Sequence, residues 1–118
     1  MANDVTETPK KTPRFLLEAV SDEDVSKAVK TARSEVTRWF AEDRFSKGDL
    51  VGAIGIALDA HLLDRHNIDV RRDFVGYARN YLLKDPLTPA NKRFHDTIAK
   101  LYGYFDISLQ AQEQYETS

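Results

Sequence analysis

The sequence predicts an all-α fold, a single compact bundle of five to six helices. Three observations predict it. Apolar residues recur at three- and four-residue intervals over most of the chain, and no stretch alternates apolar and polar as a strand would. Start and stop signals cut that pattern into helix-length segments at Thr12-Pro13, Ser21, Ser46 to Asp49, Asp85-Pro86 and Thr88-Pro89. The most apolar run, Asp49 to Asn67, lies near the middle of the chain, where the flanking amphipathic segments need something to lie against. With 118 residues, 42% of them hydrophobic, the chain is long enough for one domain with its own core.

Taken in order, residues 1–12 are polar and without period and read as a flexible arm. Residues 13–107 form the helical domain. Thr12-Pro13 is a cap followed by a first-turn proline, and a short helix to about Val20 would carry Phe15, Leu16, Ala19 and Val20 on one side. Ser21-Asp22-Glu23-Asp24 resembles a capping box and opens a helix over about 22–45. At 100° per residue, Val25, Ala28, Val29, Ala32, Val36, Trp39 and Phe40 fall within about 120° of arc, an amphipathic stripe. Gly48 permits a left-handed turn, with Ser46 and Asp49 as cap residues.

The central helix, about 49–66, is expected to be mostly buried, with Asn67 as its C-terminal cap. Gly52 and Gly55 weaken it by roughly 1 kcal/mol each relative to alanine, a cost that close approach of a neighbouring helix would offset. A helix over about 70–84 places Val70, Phe74, Tyr77, Ala78, Tyr81 and Leu82 on one face and ends before Pro86. Another runs from Pro89 to about Tyr102, with Gly103 as a stop. Residues 108–118 read as a polar tail or a short helix.

Composition excludes several functions. There is no cysteine, hence no disulfide framework, thiolate zinc site or cysteine nucleophile. Seventeen basic against nineteen acidic residues argue against a strongly electrostatic nucleic-acid binder. No apolar run reaches the ~18–20 residues that span a bilayer. The first residues lack the apolar core of a signal peptide, so a cytoplasmic location is expected. Glycine-rich phosphate loops, nucleophile elbows and HExxH metal motifs are missing, as are internal repeats and a heptad pattern long enough for a coiled coil. No cofactor is expected.

Three groups of residues remain as candidates. Aromatic side chains crowd the end of the 22–45 helix, and aromatics are common anchors of protein interfaces. Trp39, Phe40, Phe45 and Tyr104, with the small Gly52 and Gly55 surface, are the interface candidates. They favour a small, non-enzymatic accessory or regulatory protein that binds a protein partner, including a second copy of itself. The second group is basic. Arg71, Arg72 and Arg79, extended by Lys92 and Arg93, would serve a helix-turn-helix nucleic-acid binder.

The third group holds His61, on the apolar face of the central helix, and His95-Asp96. The run His95-Asp96-Thr97-Ile98-Ala99-Lys100 resembles the HD-x-x-x-K motif of HD-domain metal phosphohydrolases. That resemblance implies an all-helical metal hydrolase with His61, His95 and Asp96 as metal ligands. The family's later aspartate has only Asp106 as a counterpart, closer than the usual spacing. Otherwise His61 is a hydrogen-bonded core or interface residue.

Overall fold

The computed structural model describes residues 21–117. Among them are four helices and no strand: α1 (Asp22–Ser46), α2 (Leu50–Leu63), α3 (Ile68–Lys84) and α4 (Lys92–Thr117). The expected arm and the helix over 13–20 lie outside the described residues.

Local chemistry explains the boundaries. Ser21 Oγ accepts from the Asp24 N–H at 3.1 Å, and Asp24 Oδ2 accepts from the Ser21 N–H at 3.4 Å. These reciprocal bonds satisfy two donors that a helix start leaves free. Gly48, at φ 84°, makes the turn out of α1. Asp49 then caps α2, its Oδ1 accepting from the Gly52 N–H at 2.9 Å while Oδ2 pairs with Arg44 at 3.2 Å. Asp85, in extended backbone before Pro86, closes α3. Thr88 and Asn91 bond reciprocally, Asn91 Oδ1 accepting from the Thr88 N–H and Thr88 Oγ1 from the Asn91 N–H. The expected Thr88 cap therefore forms one turn ahead of the regular start of α4.

Each helix packs on its neighbour in sequence, and α1 also touches α3. Ile54, Phe74, Tyr77, Tyr81, Ile98 and Phe105 fill the core, with small residues such as Ala53, Ala57 and Ala78 between the helix axes. Phe105 meets Phe74 edge to face at 5.1 Å, and Tyr81 meets Phe94 at 5.2 Å.

The structure corrects four expectations. Four helices are described where five to six were expected: the one over 13–20 lies outside the described residues, and the tail after Gly103 is no separate helix, because Gly103 does not stop α4. Its φ is not positive, and the apolar spacing of Ile98, Leu101, Phe105 and Leu109 continues through it. The most buried helix is α3, with Val70, Phe74, Val75, Tyr77, Ala78 and Tyr81 enclosed, because its backbone lies close to all three others. The 49–66 segment instead buries one face (Ala53, Ile54, Ala57, Ala60) and leaves Val51 and Leu62 exposed. Asn67 does not end α2; it caps α3, its Oδ1 accepting from the Asp69 and Val70 N–H groups. Finally, the nearest surroundings of the two glycines are not a neighbouring helix. A Cβ on Gly52 would meet the Asp49 carboxylate, and Gly55 faces open space.

These glycine environments differ in a measurable way. Gly103→Ala adds a methyl in open space on a helical backbone, and we expect it to raise stability by about 0.5–1 kcal/mol. Gly52→Ala displaces the capping carboxylate and should lower stability by ~1 kcal/mol despite the better helix former. Urea denaturation midpoints of the two variants check both signs.

Candidate functional site

Helix α1 has two faces, and the polar one is turned inward. Thr31, Ser34, Arg38, Ala41 and Phe45 recur at three- and four-residue steps, so they form one row along the helix. Ser34 is fully buried; its Oγ donates to the Ala60 carbonyl at 2.9 Å and accepts from Asn67 Nδ2 at 3.2 Å. Asn67 Nδ2 also donates to Glu35 Oε2 at 2.7 Å, and Thr31 Oγ1 donates to Asp64 at 3.3 Å. Arg38 Nε donates to Asp73 Oδ2 at 2.6 Å, Ala41 is buried, and the Phe45 ring lies 4.9 Å from that of Tyr77.

The amphipathic stripe found in the sequence lies on the opposite side of α1, roughly 170° away at 100° per residue. Val25, Val29, Val36, Trp39 and Phe40 are between 42% and 62% exposed. Among the described residues, nothing covers them. The expectation that this stripe faces the core is therefore corrected. The physical reason is hydrogen bonding: the inner face offers donors and acceptors that Ala60, Asp64, Asn67 and Asp73 satisfy, and valines there would strand those groups.

The Arg38–Asp73 pair fixes the angle of α1 on α3. Burial lifts the Asp73 carboxyl above its ordinary range, outweighing the pull of Arg38. The hydrogen bond to Asp73 holds Arg38 still more firmly protonated, against the effect of its own burial. Desolvation of the carboxylate and its attraction to the guanidinium oppose each other here. The 2.6 Å contact decides for an ion pair, because an always-charged guanidinium at that distance favours a carboxylate. Its role is positional more than stabilising, as expected where desolvation offsets attraction. The same burial, together with Asp73, pushes the Tyr77 hydroxyl up to about 12.

His61 is half-buried and meets the Phe105 ring edge-on at 4.8 Å. Its Nδ1 is enclosed and has no hydrogen-bond partner among the described residues. Burial lowers its pKa below the ordinary histidine value, and the nearby charges of Arg71 and Arg65 lower it further, against a smaller opposite effect of Asp64. His61 is thus a neutral side chain at neutral pH, packed between helices.

The other candidate residues take varied places. Of the interface set, Trp39, Phe40 and Tyr104 are well exposed, and Phe45 is partly covered by Tyr77. The arginines do not form one face. Arg71 turns inward, its Nη1 donating to Ser108 Oγ at 2.7 Å. Arg72 pairs with Asp69 at 3.6 Å, and Arg79 hydrogen-bonds the Tyr102 hydroxyl at 3.3 Å. Lys92 holds Asp96 at 2.6 Å, and Arg93 is exposed. The Asp96 carboxyl sits below its ordinary pKa because of Lys92. His95 packs against Tyr81 with ring centres 5.7 Å apart. Among the described residues, no three of histidine, aspartate and glutamate gather as a metal-holding group, so His61, His95 and Asp96 are not brought together.

Sequence reasoning missed Ser34, Asn67 and Asp73 as the fastening of α1, and missed Val25, Val29 and Val36 as surface. One signal was available: the second row on α1, Thr31, Ser34, Arg38 and Ala41, has the same helical spacing as the apolar stripe. The chain matches no protein-family model, and no curated protein and no solved structure matches it. No helix among the described residues is long and apolar enough to cross a membrane.

The lowered pKa of His61 gives stability a direction with pH. Above about pH 7 the imidazole is neutral in folded and unfolded chains alike. As pH falls through 6.5, the unfolded chain takes up a proton that the folded chain refuses, so unfolding is favoured. The loss is complete once pH is below the folded pKa. We expect the thermal midpoint of the native chain to fall more between pH 7.5 and pH 5 than that of His61→Gln, measured by circular dichroism. Equal falls would show that His61 titrates freely.

Proposed function

We propose that this protein acts as a small accessory or regulatory factor through protein–protein association, with the outward face of α1 as its contact surface. The observation that carries this reading is the exposed stripe of valines and aromatics opposite a fully engaged polar face. Among the described residues, no other helix packs on this apolar side. Contiguous apolar surface rimmed by charge is the common mark of an interaction site.

The occupant we favour is a second copy of the chain. Val25, Val29, Ala32, Val36 and Trp39 follow a four-three-four-three spacing, in which a helix is complementary to another of its own kind. The seam runs over about 21 Å, at 1.5 Å per residue. It is too short for a free-standing coiled coil, but the folded bundle holds it in place. Its two edges carry opposite signs, Arg33 on one and Glu35 and Glu42 on the other. Two parallel copies lying seam to seam would bring unlike edges together, whereas antiparallel copies would bring like edges together. The alternative occupant is a groove on another protein that receives the same side chains.

Trp39 is the one tryptophan of the chain and lies in the seam, so it reports the contact directly. We expect its emission to shift to the blue as protein concentration rises, in step with a doubling of mass by light scattering. The double variant Val29→Asp with Val36→Asp should stay monomeric and keep its helical signal, since both positions are exposed. A native chain that remains monomeric at every concentration overturns self-association and leaves the heterologous groove. A double variant that still dimerises overturns the α1 surface.

A further inference from the structure

A recess of about 320 Å³ lies between the end of α2, the start of α3 and the middle of α4. Its basic side chains are His61, Arg65 and Arg71, and its apolar wall is Leu62, Tyr104 and Phe105. It lies apart from the α1 stripe and shares no residue with it. Arg71 spends one nitrogen on a neutral partner, the Ser108 hydroxyl, and forms no ion pair with a carboxylate among the described residues. Its Nε is enclosed and without a hydrogen-bond partner among the described residues, and so is His61 Nδ1. Two enclosed, unpartnered nitrogens on residues that line one recess are unusual, because enclosed polar groups nearly always find partners.

The acidic groups nearby are already engaged. Asp64 is the carboxylate whose charge reaches His61; its Oδ2 accepts from Thr31 and its Oδ1 from the His66 N–H. The recess therefore keeps an excess of positive charge beside an aromatic wall. Phe105 is buried at the inner end, with Tyr104 and Leu62 exposed at the mouth.

We propose that this recess binds a small organic anion, a carboxylate or phosphate head on an apolar and preferably aromatic body. The guanidinium of Arg71 takes the head with its planar, two-nitrogen edge, and Arg65 adds charge from the mouth. His61, neutral, forms part of the recess wall beside that head. The body stacks between Phe105, Leu62 and Tyr104, which gives the preference for an aromatic group. Swinging Arg71 off Ser108 opens the way, since that bond exchanges one neutral acceptor for a charged one.

Titration of the full chain with inorganic phosphate, benzoate and phenyl phosphate, followed by amide NMR and calorimetry, tests this. We expect saturable binding of benzoate or phenyl phosphate, tighter than inorganic phosphate, with shifts at residues 61–65, 71 and 104–108. Arg71→Leu should weaken it by about tenfold or more, the loss of a charge-assisted two-point contact. Arg71→Lys keeps the charge without the fork and should fall between the two. Arg72→Leu, outside the recess and paired with Asp69, should leave binding unchanged. Circular dichroism establishes that each variant is folded. The proposal is overturned if no probe binds saturably to the native chain, or if Arg72→Leu weakens binding as much as Arg71→Leu. Equal affinity for inorganic and phenyl phosphate overturns the apolar subsite.

Discussion

One side-chain amide joins three of the four helices. Asn67 caps α3 with its oxygen and spends its nitrogen on Glu35 and Ser34 of α1, while the Ser34 hydroxyl donates a hydrogen bond to a carbonyl of α2. No apolar residue could replace this arrangement without leaving at least one buried acceptor unmatched. Each such bond contributes only about 1 kcal/mol net, but breaking one inside the protein leaves a partner stranded at a cost of about 1–3 kcal/mol. The relative placement of α1, α2 and α3 depends on this amide more than on any single apolar contact.

The same constraint sets the surface of the molecule. Once Ser34, Arg38 and Ala41 face inward, the valine and aromatic stripe must face outward, because a helix cannot turn one row in without turning the opposite row out. Rotating α1 to bury the stripe would gain apolar area, at roughly 25 cal/mol per Å². It would also break the bonds to Ala60, Asn67 and Asp73 together. The exposed stripe is thus the counterpart of a polar interface, and the two faces of α1 are one structural decision.

Much of the architecture was legible in the sequence because caps are local. Ser21, Asp49 and Thr88 make their cap contacts within three residues, and the helix class follows from apolar spacing alone. The orientation of α1 was not legible, since its partners lie about thirty residues away in sequence: Ala60 and Asn67 for Ser34, Asp73 for Arg38. Periodicity identifies a stripe without saying what it faces. Gly103 misled because a glycine in a helix and a glycine after one look alike until the backbone angle is known. The recess draws His61, Arg71 and Ser108 from three different helices, so no spacing rule could have assembled it.

The order of packing bears on how the chain reaches this structure. Because α1 lies on α2, α2 on α3 and α3 on α4, most contacts join residues that are near in sequence. Loop closure between successive helices is inexpensive in entropy, and proteins of this topology fold on the microsecond-to-millisecond scale. The α1–α3 contact and the meeting of His61 with Phe105 are exceptions, each joining helices that are not neighbours in sequence. The Arg38–Asp73 pair and the Asn67 amide span 32 to 35 residues, so they hold only where α1, α2 and α3 stand together in their final order.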